Sequence, residues 1–362
     1  MGEKLDKPIL NKNPIDGKSK NFRYGMNKIQ GWKKSMDVYD IKKIELDKQK
    51  NINIFGLFDG HSGKEISQYL SEHFSIELSK NNNFINGDYK QALIDTFKNI
   101  DMSFRTDEIN NILKISSQKN KKEKIDNLNK SLGYQNRLNS NDVNDLNVIM
   151  DFLDPNDLEG VYISDFMGSS GIVILISEKI TYVANAGNSH FIAINKNLSL
   201  IKDKTMIEQK LYDNHEKNRV KIAKGIKYGK EKENIYEKEE YLYTRGFGDF
   251  KYKNNDLIDI EQQEISCKPD IFEISNDEIK FLIICDYGFF ESANIFSQNN
   301  SNSINIEKKI ASYFIDKIKN EKKLLSGIIG DYFDEYITNQ INKNENDCEN
   351  NFSCIIIDFV NN

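Results

Sequence analysis

The sequence predicts an α+β fold built on antiparallel sheets, and two features carry that expectation. GIVILIS (171–177), KITYVANAG (179–187) and HFIAINKN (190–197) are apolar, β-branched segments joined by spacers too short for a crossover helix, which requires antiparallel pairing. Strand-like and helix-like segments also occur in blocks rather than as alternating βαβ units.

Taken in order, residues 1–21 form a polar arm expected to be flexible, ahead of one folded domain over 22–360. NINIFGLF (51–58) reads as a strand running into the turn signal Asp59-Gly60. Ile66, Tyr69, Leu70, His73, Phe74 and Leu78 recur at three- and four-residue steps, one apolar helix face over four turns. Asp88 suits the N-cap of a second helix, with Tyr89, Ala92, Leu93, Phe97 and Ile100 on its buried side. The stretch from about 106 to 160, containing SQKNKKEK and NRLNSNDVND, reads as a polar insertion with patches of helix, and 227–240 as a charged loop. KFLIICD (280–286) is a strand. Helices are expected near 306–319 and 322–339, the latter with Leu325, Ile328, Ile329, Tyr332 and Tyr336 at helical spacing, and FSCIIIDF (352–359) is a last strand.

Composition narrows the function. The 362 residues are 38% hydrophobic and 29% charged, and the net charge of -6 provides no basic field to attract nucleic acid. No apolar run approaches the roughly 18–20 residues that span a bilayer, and the start MGEKLDKPIL lacks the apolar core of a secretory signal. The expectation is a cytoplasmic or nuclear monomer that binds neither nucleic acid nor membrane. Cys267, Cys285, Cys348 and Cys354 show no zinc-type spacing, and Cys285 and Cys354 sit in strand-like runs as small core residues.

Three acids stand out. Asp59 precedes Gly60 and Asp286 precedes Tyr287-Gly288, each at the end of a strand, and Asp37 follows an aromatic-containing segment near the start. Oxygen ligands at strand ends suit Mg²⁺ or Mn²⁺, which take carboxylates and keep positions open for water and phosphate. Each acid alone is equally well a turn or surface residue. His61, next to Asp59-Gly60, has the chemistry of a general acid because imidazole titrates near neutral pH. Residues alone reach a metal-dependent hydrolase as one open reading.

The order of motifs reaches further. LFDGHSGKEIS (57–67), MGSSGIVILI (167–176), YVANAGNSHFIAI (182–194), LYTRGFGDFKYK (242–253), CKPDI (267–271), FLIICDYGFFE (281–291) and NNFSCIII (350–357) occur in one series that resembles the type-2C, metal-dependent serine/threonine protein phosphatases. IQGWKKSMDVYD (29–40) resembles the family's first motif, and HEKNRVKIAKG (215–225) resembles one of its helices. The resemblance implies two packed antiparallel sheets flanked by helices, an α-β-β-α sandwich with the active site at one edge. It also implies a phosphoprotein substrate and two Mg²⁺ or Mn²⁺ ions, roughly 4 Å apart, sharing a water that attacks the phosphorus of phosphoserine or phosphothreonine. On that basis Asp37, Asp59, Gly60, Asp286 and Asn350 occupy metal-ligand positions, His61 the general-acid position and Lys33 that of the phosphate-binding arginine.

The chain also departs from the family's pattern. Asp37-Val38 stands for Glu-Asp, Lys33 for arginine, Asn188 for a third-metal aspartate, His190 for a nearby arginine, Asn350 for a metal aspartate and Tyr287 for a glycine. An amide oxygen still binds Mg²⁺ or Mn²⁺, whereas valine offers no ligand. A phosphatase of reduced activity is therefore expected. The alternative is an inactive pseudophosphatase that binds a protein partner. Arg245 and Asp249 are read as ordering a turn rather than as catalytic, and Trp32 as packing beside the site.

Overall fold

Alternate residues of a strand face opposite sides, and both sides are apolar in the central strands of this chain. The computed structural model describes residues 4–132, 162–201, 209, 213–224, 243–295, 303–343 and 350–360. The strands are β1 (Lys4–Ile9), β2 (Ile15–Lys18), β3 (Phe22–Ile29), β4 (Gly31–Lys33), β5 (Val38–Asp47), β6 (Ile52–His61), β7 (Gly168–Ile176), β8 (Ile180–Ala186), β9 (His190–Asn195), β10 (Phe247–Gly248), β11 (Asp270–Ser275), β12 (Ile279–Cys285) and β13 (Phe352–Phe359). The helices are α1 (Glu65–Lys80), α2 (Asn82–Asn86), α3 (Tyr89–Ser103), α4 (Asp107–Leu132), α5 (Asn214–Ala223), α6 (Tyr287–Ile295), α7 (Ser303–Asn320) and α8 (Leu325–Lys343).

One sheet has the order β11-β8-β7-β6-β5, with β10 on β7; the other has the order β2-β3-β13-β12-β9. Every pairing in both is antiparallel. Phe55, Leu57, Ile172 and Ile174 from the first sheet meet Leu282, Ile284, Ile355 and Ile357 from the second, forming the central core. The alternate residues Ile54, Phe58, Val173 and Leu175 face α1 and α3, packing on Leu70, Phe74, Leu93 and Phe97. On the opposite side Ile283, Cys285, Cys354 and Ile356 pack on Phe289, Phe314, Tyr332 and Tyr336 of α6, α7 and α8. The α-β-β-α sandwich is thus the expected fold, and Cys285, Cys354 and Trp32 are core residues as read.

Asp88 caps α3 by accepting from the Gln91 N–H at 3.1 Å. His73 stacks on Tyr69 one turn before it, ring centroids 4.0 Å apart. Four expectations are corrected. Residues 4–9 and 15–18 of the arm expected to be flexible are strands: β2 pairs with β3, and the Asp16 carboxylate accepts from the Ser326 N–H at 3.0 Å. β8 and β9 do not pair, because the chain turns at Gly187 (φ 120°) and crosses to the other sheet, where β9 joins β12. β6 runs on through Asp59, Gly60 and His61 instead of turning there, since all three pair with β7. Tyr287-Gly288 opens the helix α6 rather than a turn. Of the insertion expected over 106–160, α4 supplies helix over 107–132; residues 133–160 and the loop expected at 227–240 lie outside the described residues. Among the described residues no helix is long and apolar enough to cross a membrane.

Candidate active site

The acids come together where β6 of one sheet and β12 of the other end. Asp37 lies between β4 and β5, and its carbonyl accepts from the Gly60 N–H (3.1 Å) and the Ser67 hydroxyl of α1 (2.7 Å). From the other sheet Asn351, only 3% exposed, ties the same loop down. Its side-chain oxygen accepts from the Asp37 N–H at 2.8 Å and its amide donates to the carbonyls of Gln30 and Ser35, both at 2.9 Å. Asp286 follows β12 and caps α6, one carboxylate oxygen accepting from the Phe289 N–H at 2.9 Å. Lys33 Nζ lies 2.8 Å from Asp37 Oδ2.

Electrostatics show that these groups share one region. Burial opposes the charge of Lys33, but Asp37, Asp59 and Asp286 together outweigh it and hold its pKa above the usual lysine value. Burial pushes Asp59 up, opposed by Lys33 and reinforced by Asp37. Burial pushes Asp286 well up, reinforced by Asp59. Excess negative charge without enough compensation is the state a bound cation relieves. The buried oxygens Asp37 Oδ1 and Asp286 Oδ2 have no hydrogen-bond partner. Such atoms are costly unless they take up an ion or water, so this donor set fits a hard cation. Among the described residues no group of three or more His, Cys, Asp or Glu side chains is gathered closely enough to hold an ion jointly.

His61 ends β6 and is a third exposed. Its Nε2 lies 2.7 Å from Asp249 Oδ2, and its Nδ1 bonds the Tyr243 hydroxyl. Burial holds the Tyr243 phenol well above its usual pKa, so it stays a proton donor. Gly168 of β7 permits this contact, since it is the register partner of both His61 and Gly248. A Cβ there would run into the Asp249 carboxylate and lie 2.6 Å from the His61 ring. Asp249, buried at 3% exposure, takes a left-handed conformation at φ 53°. The reading of Asp249 as a turn residue therefore captures only half its role.

The departures are placed as follows. Val38, fully buried, points into the core between the sheets although its register partner is Asp59. The Asn350 amide donates to Glu291 Oε2 at 3.2 Å. The Tyr287 hydroxyl donates to Glu291 one turn on, at 3.2 Å. Gly288 is where α6 meets the Asn350 side chain and the Asn351 carbonyl. Asn188 has a buried side-chain oxygen without a hydrogen bond, and His190 stacks on Phe290, ring centroids 3.5 Å apart. Arg245 orders its turn as expected, bonding Glu216 at 2.5 Å and Asp270 at 2.7 Å.

Against known proteins, the family model described as protein phosphatase 2C matches residues 22–120 and 113–294. The chain belongs to the protein phosphatase 2C family. A relative in Paramecium tetraurelia, "Probable protein phosphatase 2C 4", is 29% identical over 81% of this chain and 80% of its own length. "Probable protein phosphatase 2C 21" of Arabidopsis thaliana is 28% identical over 79% of this chain and 77% of its own. The crystal structure of serine-threonine phosphatase 2C from Toxoplasma gondii shares the fold at 12% identity, TM-score 0.60, over 97% of this chain and 99% of that one. As a member of protein phosphatase 2C this chain is a serine/threonine protein phosphatase of a metal-dependent family that acts on phosphoproteins.

Sequence reading missed Asn351, Tyr243, Gly168 and the contact of Asp249 with His61. The motifs NNFS, LYTRGFGD and MGSSG were visible. That they meet at one corner is a tertiary fact.

Proposed function

We propose that this phosphatase hydrolyses phosphoserine and phosphothreonine at a reduced rate because its metal site is short of anionic ligands. The observation that carries the reading is the convergence of Asp37, Asp59 and Asp286 on Lys33 with two buried carboxylate oxygens left without a hydrogen bond. Asp59, Asp286, the carbonyl of Gly60 and Asp37 are the groups to hold Mg²⁺ or Mn²⁺. When bound, the metal activates water and offsets charge on the phosphoryl oxygens.

The chain's own groups do the rest. Lys33 uses one of its three donors on Asp37 and keeps others for a phosphate oxygen, as a point charge rather than a bidentate fork. His61, oriented by Asp249, and Tyr243 hold the proton that the leaving alkoxide of serine or threonine takes up. Asn351 keeps Asp37 and Lys33 in place by bonding both ends of their loop. Asn350 contributes at most a neutral oxygen, and Val38 contributes none.

Hydrolysis of a phosphothreonine peptide by the purified protein across Mn²⁺ and Mg²⁺ titrations tests this. Activity that needs high metal and is lost in Asp59→Asn and Asp286→Asn is the expected outcome. A second reading, an inactive module that binds a protein partner, is favoured by Val38 facing the core and Asn350 turned to Glu291. Absence of turnover at every metal concentration, in protein shown to be folded, would select it.

A further inference from the structure

The charges around the site do not call for two divalent ions. Ionised, as the ligands of a cation are, Asp37, Asp59 and Asp286 carry three negative charges, and Lys33 returns one positive charge, so the residual equals that of a single divalent cation. The placement of the groups follows the same division. Lys33 forms an ion pair with Asp37 Oδ2 at 2.8 Å, while Asp37 Oδ1 and Asp286 Oδ2 are buried without a hydrogen bond and Asp59 is the charged group that weighs most on Asp286. One further ligand position is lost, because Val38 is packed between the sheets, and another is neutral, the Asn350 amide nitrogen donating to Glu291.

We infer that Lys33 is a tethered cation standing in for one of the two metal ions, so that this site binds a single divalent ion between Asp59 and Asp286. The inference rests on the metal-dependent reading above and deepens it. The physical reason is competition: a carboxylate already neutralised by an ammonium attracts a second divalent ion much less than a bare one, and the ammonium repels that ion directly. Lys33 is held on the short β4, whose pairing with β1 limits how far its backbone can withdraw. Removal of its charge leaves Asp37 free for a second ion; replacement by another cation does not.

Binding of Mn²⁺ to the full chain, measured by equilibrium dialysis and by electron paramagnetic resonance without substrate, decides the matter. The wild-type protein and Lys33→Arg are expected to hold one ion per chain, with the spectrum of an isolated Mn²⁺. Lys33→Gln and Lys33→Met are expected to hold two, with the broadened spectrum of a spin-coupled pair. Two coupled ions in the wild type, or an unchanged single ion in both neutral variants, would overturn the inference and leave the metal-dependent reading standing. No bound Mn²⁺ in any of the four proteins would overturn both together. Loss of the single ion in Asp59→Asn is expected as well, and its retention there would place the ion elsewhere and defeat the assignment.

Discussion

Asp249 and His61 lie 188 positions apart in the chain and 2.7 Å apart in space. The carboxylate fixes the imidazole so that its proton is presented at one place, and the Tyr243 phenol holds the other nitrogen. His61→Gln should lower kcat by roughly 10²- to 10⁴-fold, the usual contribution of a positioned general acid. Asp249→Asn should lower kcat less than that while leaving the number of bound Mn²⁺ ions unchanged. Steady-state kinetics with a phosphothreonine peptide beside a metal-binding measurement would distinguish these effects. Asn350→Asp should lower the Mn²⁺ concentration for half-maximal activity by about tenfold, equivalent to about 1.4 kcal/mol of metal binding. An unchanged metal requirement would show that Glu291, which now accepts from the Asn350 amide, keeps an aspartate turned away. At this scale the acids and His61 were legible from residue type and motif. The partner of each was not, because hydrogen-bond geometry depends on elements distant in sequence.

Between elements, two small residues hold the corner together. Gly168 on β7 lets β6 and the turn after β10 approach until His61 meets Asp249. Gly168→Ala should separate that pair, lower activity at least as far as Asp249→Asn does, and cost about 1–3 kcal/mol of stability as overpacking does. Asn351 joins β13 to the loop that carries Lys33 and Asp37. Asn351→Ala should cost about 1–3 kcal/mol in denaturant unfolding, the penalty for leaving buried polar groups unsatisfied. It should also weaken metal binding, because the Asp37 N–H loses its anchor. Most elements were legible from local pattern alone: α1, α3, α8, β12 and β13 fall where apolar residues placed them, since each helix buries one apolar face and both strands are apolar on both sides. β1 and β2 were not, because they are polar edge strands whose order comes from partners such as β3 and β4 rather than from their own composition.

Across the whole molecule, buried charge networks set the response to acid. Burial opposes the charge on Glu216, but hydrogen bonds from Arg245 and the charges of Arg219 and Arg245 outweigh it and push the carboxyl down to about 2 from 4.5. A group whose pKa falls on folding stabilises the native state above its unfolded value and loses that contribution as pH falls through the folded one. Stability should therefore decline between about pH 4.5 and 2, by on the order of 3 kcal/mol from this group. Thermal melts against pH should show a smaller decline in Glu216→Gln over that window. The fully buried pair Lys253 and Asp101, 2.7 Å apart, should be costlier to break: Lys253→Met leaves a lone buried carboxylate and should destabilise by about 3–5 kcal/mol. The sequence by itself determined the fold class, most elements, the family and the identities of the acids and His61, because periodicity and short motifs are local properties of the chain. Only the tertiary structure decided that β8 and β9 part into different sheets, that Lys33 neutralises Asp37, that Val38 faces the core and that Asp249 reaches His61. Each depends on how elements distant in the chain pack together, even for Lys33 and Asp37 four positions apart, and no local pattern records that packing.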